Sequence, residues 1–276
     1  MRIIGYGICG KEADRYLEAT LKEFKRLCDD TIIVLNNATD KEKNLIESYG
    51  FKTKVDNRTW GLEQHHIKQD LMEDVKALKP DYCVCLDMDE VFDPAMDRAR
   101  LLEAFEYGNA LYFYIVNLWN EGWNRKWSFW NIRAWKWSDD TKFENKPLHC
   151  GLAPAWCYRL TNIHVPLFVK HYGLMKKEDR QKKIERYQQF DPQAKYKDVS
   201  YYNALSIDTC DPLNEQDIRD AIVKEIGIQA KKSKPNIKPA KMYYVKRKDG
   251  KIIDIPAQDL KETLSRGFTY VGEVGI

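Results

Sequence analysis

The feature that most constrains this chain is the alternation, over its first 95 residues, of short apolar runs with amphipathic helical stretches. Residues 2–8 (RIIGYGI) form a β-rich run. Residues 11–27 place Tyr16, Leu17, Leu21 and Phe24 on one helical face, with Leu27 close by. Residues 31–35 read as a second buried strand and residues 36–40 as a polar turn. Residues 41–49 read as a helix closed by Gly50. A third strand at 51–55, a long helix at 62–78 and a fourth strand at 82–86 follow, and the last strand runs into Asp87-Met88-Asp89-Glu90. Four strands joined by helices predict an α/β chain: a Rossmann-like parallel sheet with helices on both faces. In such sheets ligands bind beyond the carboxyl ends of the strands, at a topological switch point. The 36–40 and 87–90 turns both follow strands, so both are expected on the ligand side.

The rest of the chain has a different texture. A strand at 111–118 is followed by a segment, 119–156, holding seven of the eight tryptophans. Residues 163–169 read as a strand leading to His171, and 176–190 as a charged helix. Residues 191–228 are mixed, with Asp-Pro pairs at 191–192 and 211–212 expected to turn. Residues 229–241 are basic and proline-containing, the composition of a linker. Residues 242–276 read as a small α+β appendage: strands at 242–246 and 252–255 about an Asp249-Gly250 hairpin turn, a helix near 257–266, and a strand at 268–271. The expected organisation is a main domain, 1–228, in two halves (1–95 and 96–228), then linker and appendage.

Bulk properties exclude several classes. Net charge is only +3, from 45 basic and 42 acidic residues, so overall charge does not mark a nucleic-acid binder. No apolar run approaches the ~20 residues needed to span a bilayer, and the apolar N-terminal stretch is too short for a signal peptide. The seven cysteines include no pair of CxxC motifs, which argues against structural zinc and for reduced thiols in a cytoplasm.

The strongest chemical motif is Asp87-Met88-Asp89. A buried strand delivers two carboxylates, one residue apart, to its end, and hard cations such as Mg²⁺ or Mn²⁺ take oxygen ligands. Alone, Asp-x-Asp is more often an ordinary acidic turn; its place at the end of the fourth strand of an α/β half favours the metal reading. Three further segments accompany it: ICGKEADRYL at 8–17, IIVLNNATDKEKNLIESYG at 32–50, and HYGLMKKEDRQKKIERYQQFDP at 171–192. In this order, with PDYCVCLDMDEVF at 80–92, they resemble glycosyltransferase family 2 enzymes of the GT-A fold, in their bacterial and phage form. The resemblance covers most of residues 1–192.

That resemblance implies a metal-dependent transfer of a sugar from a nucleotide-sugar donor, with residues 1–95 as the nucleotide-binding half and 96–228 as the acceptor half. It implies Asp89 as a direct ligand of Mn²⁺ or Mg²⁺, Asp87 at the ribose or reaching the metal through water, and His171 as a third protein ligand. Glu12 and the 36–40 turn (Asn36, Asn37, Asp40) would hold the nucleoside. The family commonly has Asp where this chain has Asn36 or Asn37. A carboxylate only accepts the imide proton of uracil, whereas an amide both donates and accepts, so the base is left open. Lys68, on the helix after Trp60, is a candidate for phosphate or else a solvated helix face. Arg133, with Arg125 and Lys126 nearby, is a candidate diphosphate clamp.

Aromatic faces stack on sugars and bases, so Trp119, Trp123, Trp127 and Trp130 are candidates for the acceptor surface, with about half of the cluster expected in the core. The transfer needs a carboxylate base near the acceptor hydroxyl, for which Glu121 ranks first and Glu144 second. Glu178-Asp179 resembles the family's downstream acidic pair, but its place at a Lys-rich helix start suggests capping. The acceptor is open: a glycan, a protein, or DNA, as for a phage DNA-modifying enzyme. A nucleotidyltransferase and a non-catalytic binding module for glycans or phage components are the competing classes.

Overall fold

The computed structural model describes residues 1–10, 16–146, 148–159, 163–197, 199–232, 242–246, 252–256 and 269–274, with side chains up to residue 227. The first half alternates as expected: β1 (Ile3–Cys9), α1 (Leu17–Leu27), β2 (Asp30–Leu35), α2 (Asp40–Ser48), β3 (Lys52–Val55), α3 (Trp60–Ala77) and β4 (Tyr82–Cys85). β1 pairs in parallel with β2 and with β4, and β2 in parallel with β3, so the order across the sheet is β3-β2-β1-β4. The chain steps outward from β1 to β3 and then returns to the other side of β1. The switch point therefore lies between β1 and β4, where the carboxyl ends part above the 87–90 turn.

Adjacent residues on these strands feed opposite cores, as strand periodicity dictates. Ile3, Ile33 and Val84 join Leu21 and Phe24 of α1 and Ile46 of α2 on one face. Ile4, Ile32, Cys83 and Cys85 join Ile67, Leu71 and Val75 of α3 on the other. Helix ends follow local chemistry. Thr39 and Glu42 form a capping box at the start of α2. Gly50, just past its end, has φ +77°, where a side chain would be strained.

Beyond β4 come β5 (Glu90–Phe92), α4 (Arg98–Tyr107), β6 (Ala110–Trp119), β7 (Gly122–Trp123), β8 (Phe129–Lys136), β9 (Ile163–His171), α5 (Lys177–Phe190), α6 (Val199–Ala204), β10 (Asp211–Pro212) and α7 (Glu215–Lys232). β8 joins β4 antiparallel, extending the parallel set, and β6 pairs antiparallel with β8. β9 runs parallel beside β6, and its last residues pair antiparallel with β5, setting His171 opposite Glu90. The first half is the α/β arrangement the sequence predicts, a parallel Rossmann-like sheet flanked by helices; its continuation into an antiparallel half was not expected. β5, α4 and β8 were not expected. Residues 211–212 pair with β7 in place of the expected turn. α7 crosses the expected boundary at 228, so the first linker residues are helical.

In the appendage, β11 (Met242–Lys246), β12 (Ile252–Pro256) and β13 (Thr269–Val274) form a separate antiparallel sheet in the order β12-β11-β13. Its expected turn at 248–251 and helix at 257–266, most of the linker, and Glu12 lie outside the described residues. No helix among the described residues is long and apolar enough to cross a membrane.

Candidate functional site

The 87–90 turn is built from its own backbone outward. The Glu90 N–H donates to the Asp87 carbonyl at 3.1 Å, and Glu90 Oε2 accepts the Asp87 N–H, also at 3.1 Å. The same Oε2 accepts from Arg133 Nε at 2.6 Å, and the Arg133 Nη2 donates to Oε1. Both side chains of this pair are buried. Burial disfavours the Arg133 charge, but Glu90 outweighs it and holds the guanidinium charged. Arg133 on β8 thus braces the carboxylate turn through Glu90. This corrects the expectation that Arg133 clamps diphosphate, because its fork is occupied inside the protein.

The two carboxylates of the motif face different surroundings. The charge of Asp87 acts on buried Lys68 and Arg133. Asp89 faces His171, with Oδ2 at 3.4 Å from Nε2, and the Asp89 carbonyl accepts the Tyr172 N–H at 2.9 Å. Burial pushes the Asp89 carboxyl up, but His171 and Lys183 prevail and hold it well below the usual carboxylate range. Its Oδ1 is buried with no hydrogen-bond partner among the described residues.

Asn117 on β6 fixes the imidazole. Its Nδ2 donates to the Trp127 carbonyl, which leaves Oδ1 to accept from His171 Nδ1. The ring proton is therefore on Nδ1, and Nε2 points at a carboxylate. A cation seated at this corner would meet a carboxylate oxygen and an imidazole nitrogen together. Gly173 completes the corner: a Cβ there would lie 2.0 Å from Asp89 Oδ2 and 3.0 Å from His171 Nε2. An oriented imidazole, an adjacent carboxylate and an orphaned carboxylate oxygen fit one side of a divalent-cation site. Asp87 does not join them. Among the described residues, no three His, Cys, Asp or Glu side chains gather closely enough to hold a metal.

Several other candidates are placed differently from expectation. Lys68 is neither a solvated face nor at the cleft. It is buried, donates to the Cys150 carbonyl at 2.6 Å, and sits 5.3 Å from the centre of the Trp60 ring. Burial lowers its pKa, opposed by nearby negative groups. Asn36 is buried and spends both amide N–H groups on the carbonyls of Asp56 and Arg58. Its Oδ1 is an acceptor only. Asn37 is an exposed turn residue at φ +56°, and Asp40 begins α2, where its charge suits the helix N-terminus.

Trp119 and Trp123 are fully buried and so cannot form an acceptor surface. Trp119 Nε1 donates to the Ile207 carbonyl, and the Arg180 guanidinium lies 4.4 Å from its ring centre. Trp127 and Trp130 are half-buried; Trp127 packs at 4.6 Å from Tyr201. Glu121 is exposed at the β6–β7 hairpin, and Glu144 is exposed and paired with Lys146 at 2.6 Å. Neither lines the cleft beside Asp89. That cleft is lined by Tyr16, Asp89, Gly173, Asp179, Lys182 and Lys183. Asp179 is buried in the first turn of α5, the helix start expected for it, and from there it also lines this cleft.

No family model and no curated protein matches the chain. Solved structures similar to it include residues 1–349 of S. aureus TarS, with 12% identity over 44% of this chain and 36% of that one, TM-score 0.29. A nucleotidyl transferase from Methanothermobacter thermautotroptrophicus has 16% identity over 44% and 63%, TM-score 0.28. Glucosyl-3-phosphoglycerate synthase from Mycobacterium tuberculosis, in complex with Mn²⁺, UDP and glucosyl-3-phosphoglycerate, has 12% identity over 41% and 44%, TM-score 0.29. The chain spans less than two thirds of each of these.

Proposed function

We propose that this chain is a nucleotide-sugar-dependent glycosyltransferase that works with Mn²⁺ or Mg²⁺. The observation that carries the reading is the Asp89–His171 corner at the switch point of an α/β sheet. Asp89 and His171 Nε2 would hold the ion; when bound, it supplies positive charge to a diphosphate leaving group. Asn117 keeps the imidazole in the tautomer that presents Nε2. Asn36 Oδ1 supports a base bearing an N–H, because the amide has no donor left to offer. Asp179 is the carboxylate best situated as the base for an acceptor hydroxyl, being buried in the cleft that Asp89 lines. Glu121 and Glu144 lack both properties.

The test is incubation of the full chain with a panel of nucleotide sugars and Mn²⁺, with products read by mass spectrometry. Donor hydrolysis or transfer that disappears in Asp89→Ala, with an unchanged thermal melt, supports the reading. Full turnover in that variant removes Asp89 from the site. Asp179→Asn is expected to lower kcat by about 10²-fold or more with donor affinity nearly kept, while Glu121→Gln and Glu144→Gln stay near wild type. The reverse pattern returns the base to Glu121 or Glu144.

A further inference from the structure

β5 is three residues long and, among the described residues, pairs with β9 alone. Its ladder sets Glu90 opposite His171, Val91 opposite Lys170 and Phe92 opposite Val169. One step further, the Asp93 N–H donates to the Phe168 carbonyl at 2.8 Å. This short ladder therefore has the Asp89–His171 corner at one end and Asp93 at the other. Asp89 is the residue before the strand, so slippage or fraying of β5 would move it relative to His171. The corner end is tied by the Arg133 pair and by the Thr20 hydroxyl, which donates to the Glu90 carbonyl at 2.9 Å.

The other end is tied by α7. The Asp93 side chain is fully buried, and its Oδ1 accepts the Ala95 N–H at 2.9 Å. Among the described residues, the only cation paired with this carboxylate is Arg219: Nη1 lies 3.0 Å from Oδ2, and Nη2 donates to Oδ1 at 3.3 Å. One turn earlier on α7, Glu215 accepts from Lys170 Nζ at 3.1 Å. α7 thus grips both strands, β5 through Asp93 and β9 through Lys170. Ile218 and Ile222 share a buried cluster with Phe168, and the Arg219 guanidinium lies 5.4 Å from the Phe168 ring centre. A buried carboxylate stripped of its partner is strongly unfavourable, and the relief open to Asp93 is to leave the ladder for water.

We propose that Arg219 is a positioning residue for the Asp89–His171 corner: by neutralising Asp93 it fixes the register of β5 on β9. The proposal rests on the reading above for the ion that the corner holds.

The experiment measures Mn²⁺ affinity of the full chain by calorimetry and, in the metal-free chain, hydrogen exchange of the Asp93 amide by NMR. Arg219→Met is expected to weaken Mn²⁺ binding about tenfold or more. It should also speed Asp93 exchange at least about tenfold more than that of Ile33 in β2, the mark of local opening and not of global unfolding. Arg219→Met combined with Asp93→Asn should recover Mn²⁺ affinity to within about threefold of wild type, since the amide keeps an acceptor for Ala95 and needs no counter-charge. Ile226→Ala, a cavity in the same helix, should lower the melt yet keep Mn²⁺ affinity within about twofold. Unchanged Mn²⁺ affinity in Arg219→Met overturns the proposal. So does a double variant no better than Arg219→Met, or an equal loss in Ile226→Ala, which would make the effect one of stability alone. If Asp93 exchange responds to Arg219→Met but the wild-type chain binds no Mn²⁺, the hold on β5 stands and the metal reading falls.

Discussion

A methyl group at position 173 would have to share space with the Asp89 carboxylate, 2.0 Å away. Gly173→Ala is therefore expected to rotate or displace that carboxylate and to cut Mn²⁺ affinity about 10–100-fold, measured by electron paramagnetic resonance, with a near-normal melt. Affinity equal to wild type would mean that the ion binds elsewhere. Asn117→Leu tests the other side of the corner. Without Oδ1 the imidazole is free to change tautomer, so ¹⁵N shifts of His171 should move from an Nδ1–H pattern to a mixture. Unchanged shifts would show that another group fixes the ring. Asp89 and His171 were legible in the sequence, because a strand end and an ordered set of segments announced them. Asn117 and Gly173 were not, although an Asn inside an apolar strand and a Gly two residues past the His were visible. Their roles depend on β9 lying between β5 and β6, and no local pattern encodes that.

The strands and helices of the first half followed from periodicity, since each buries one face and repeats its apolar residues accordingly. α7 was just as periodic, with Ile218, Ala221, Ile222 and Ile226 buried, but the Asp-Pro before it drew attention to turns. β8 was hidden in the tryptophan-rich stretch, where aromatic residues suggested a binding surface. That strand brings Arg133 to Glu90, and Arg133→Met should cost about 3–5 kcal/mol in urea unfolding, the usual result of leaving one buried charge unpaired. A loss below ~1 kcal/mol would mean that water reaches Glu90.

The loop bearing His149 makes a second test at this scale. His149 packs against Tyr187 and Tyr202 of α5 and α6. Burial, with Lys197 and Arg186 and against the pull of Asp191, holds its pKa down at about 4. Its unfolded value is about 6.5, so between these values the unfolded chain binds more protons. Its contribution is complete above pH 6.5 and is lost as pH falls toward 4. His149→Asn suits the left-handed backbone there, φ +59°, and should hold its urea midpoint better than wild type on acidification. Parallel curves for the two proteins would discard the assignment.

Across the whole molecule, the main sheet, the turns at its strand ends and α5 hold every residue of the proposed site, while β11, β12 and β13 form their own sheet. A chain ending at Ser233 is accordingly expected to keep Mn²⁺ affinity within about twofold, measured by calorimetry. Loss of that affinity would make the appendage part of the site. The pairing of β5 with β9 has a consequence for synthesis. Asp89 leaves the ribosome long before His171, and the two meet only when β9 has docked beside β6 and β5. During that interval residues 1–95 carry their carboxylates without the imidazole partner. The Asp89–His171 corner therefore exists only in a chain made at least as far as β9, and a fragment ending before residue 163 lacks it.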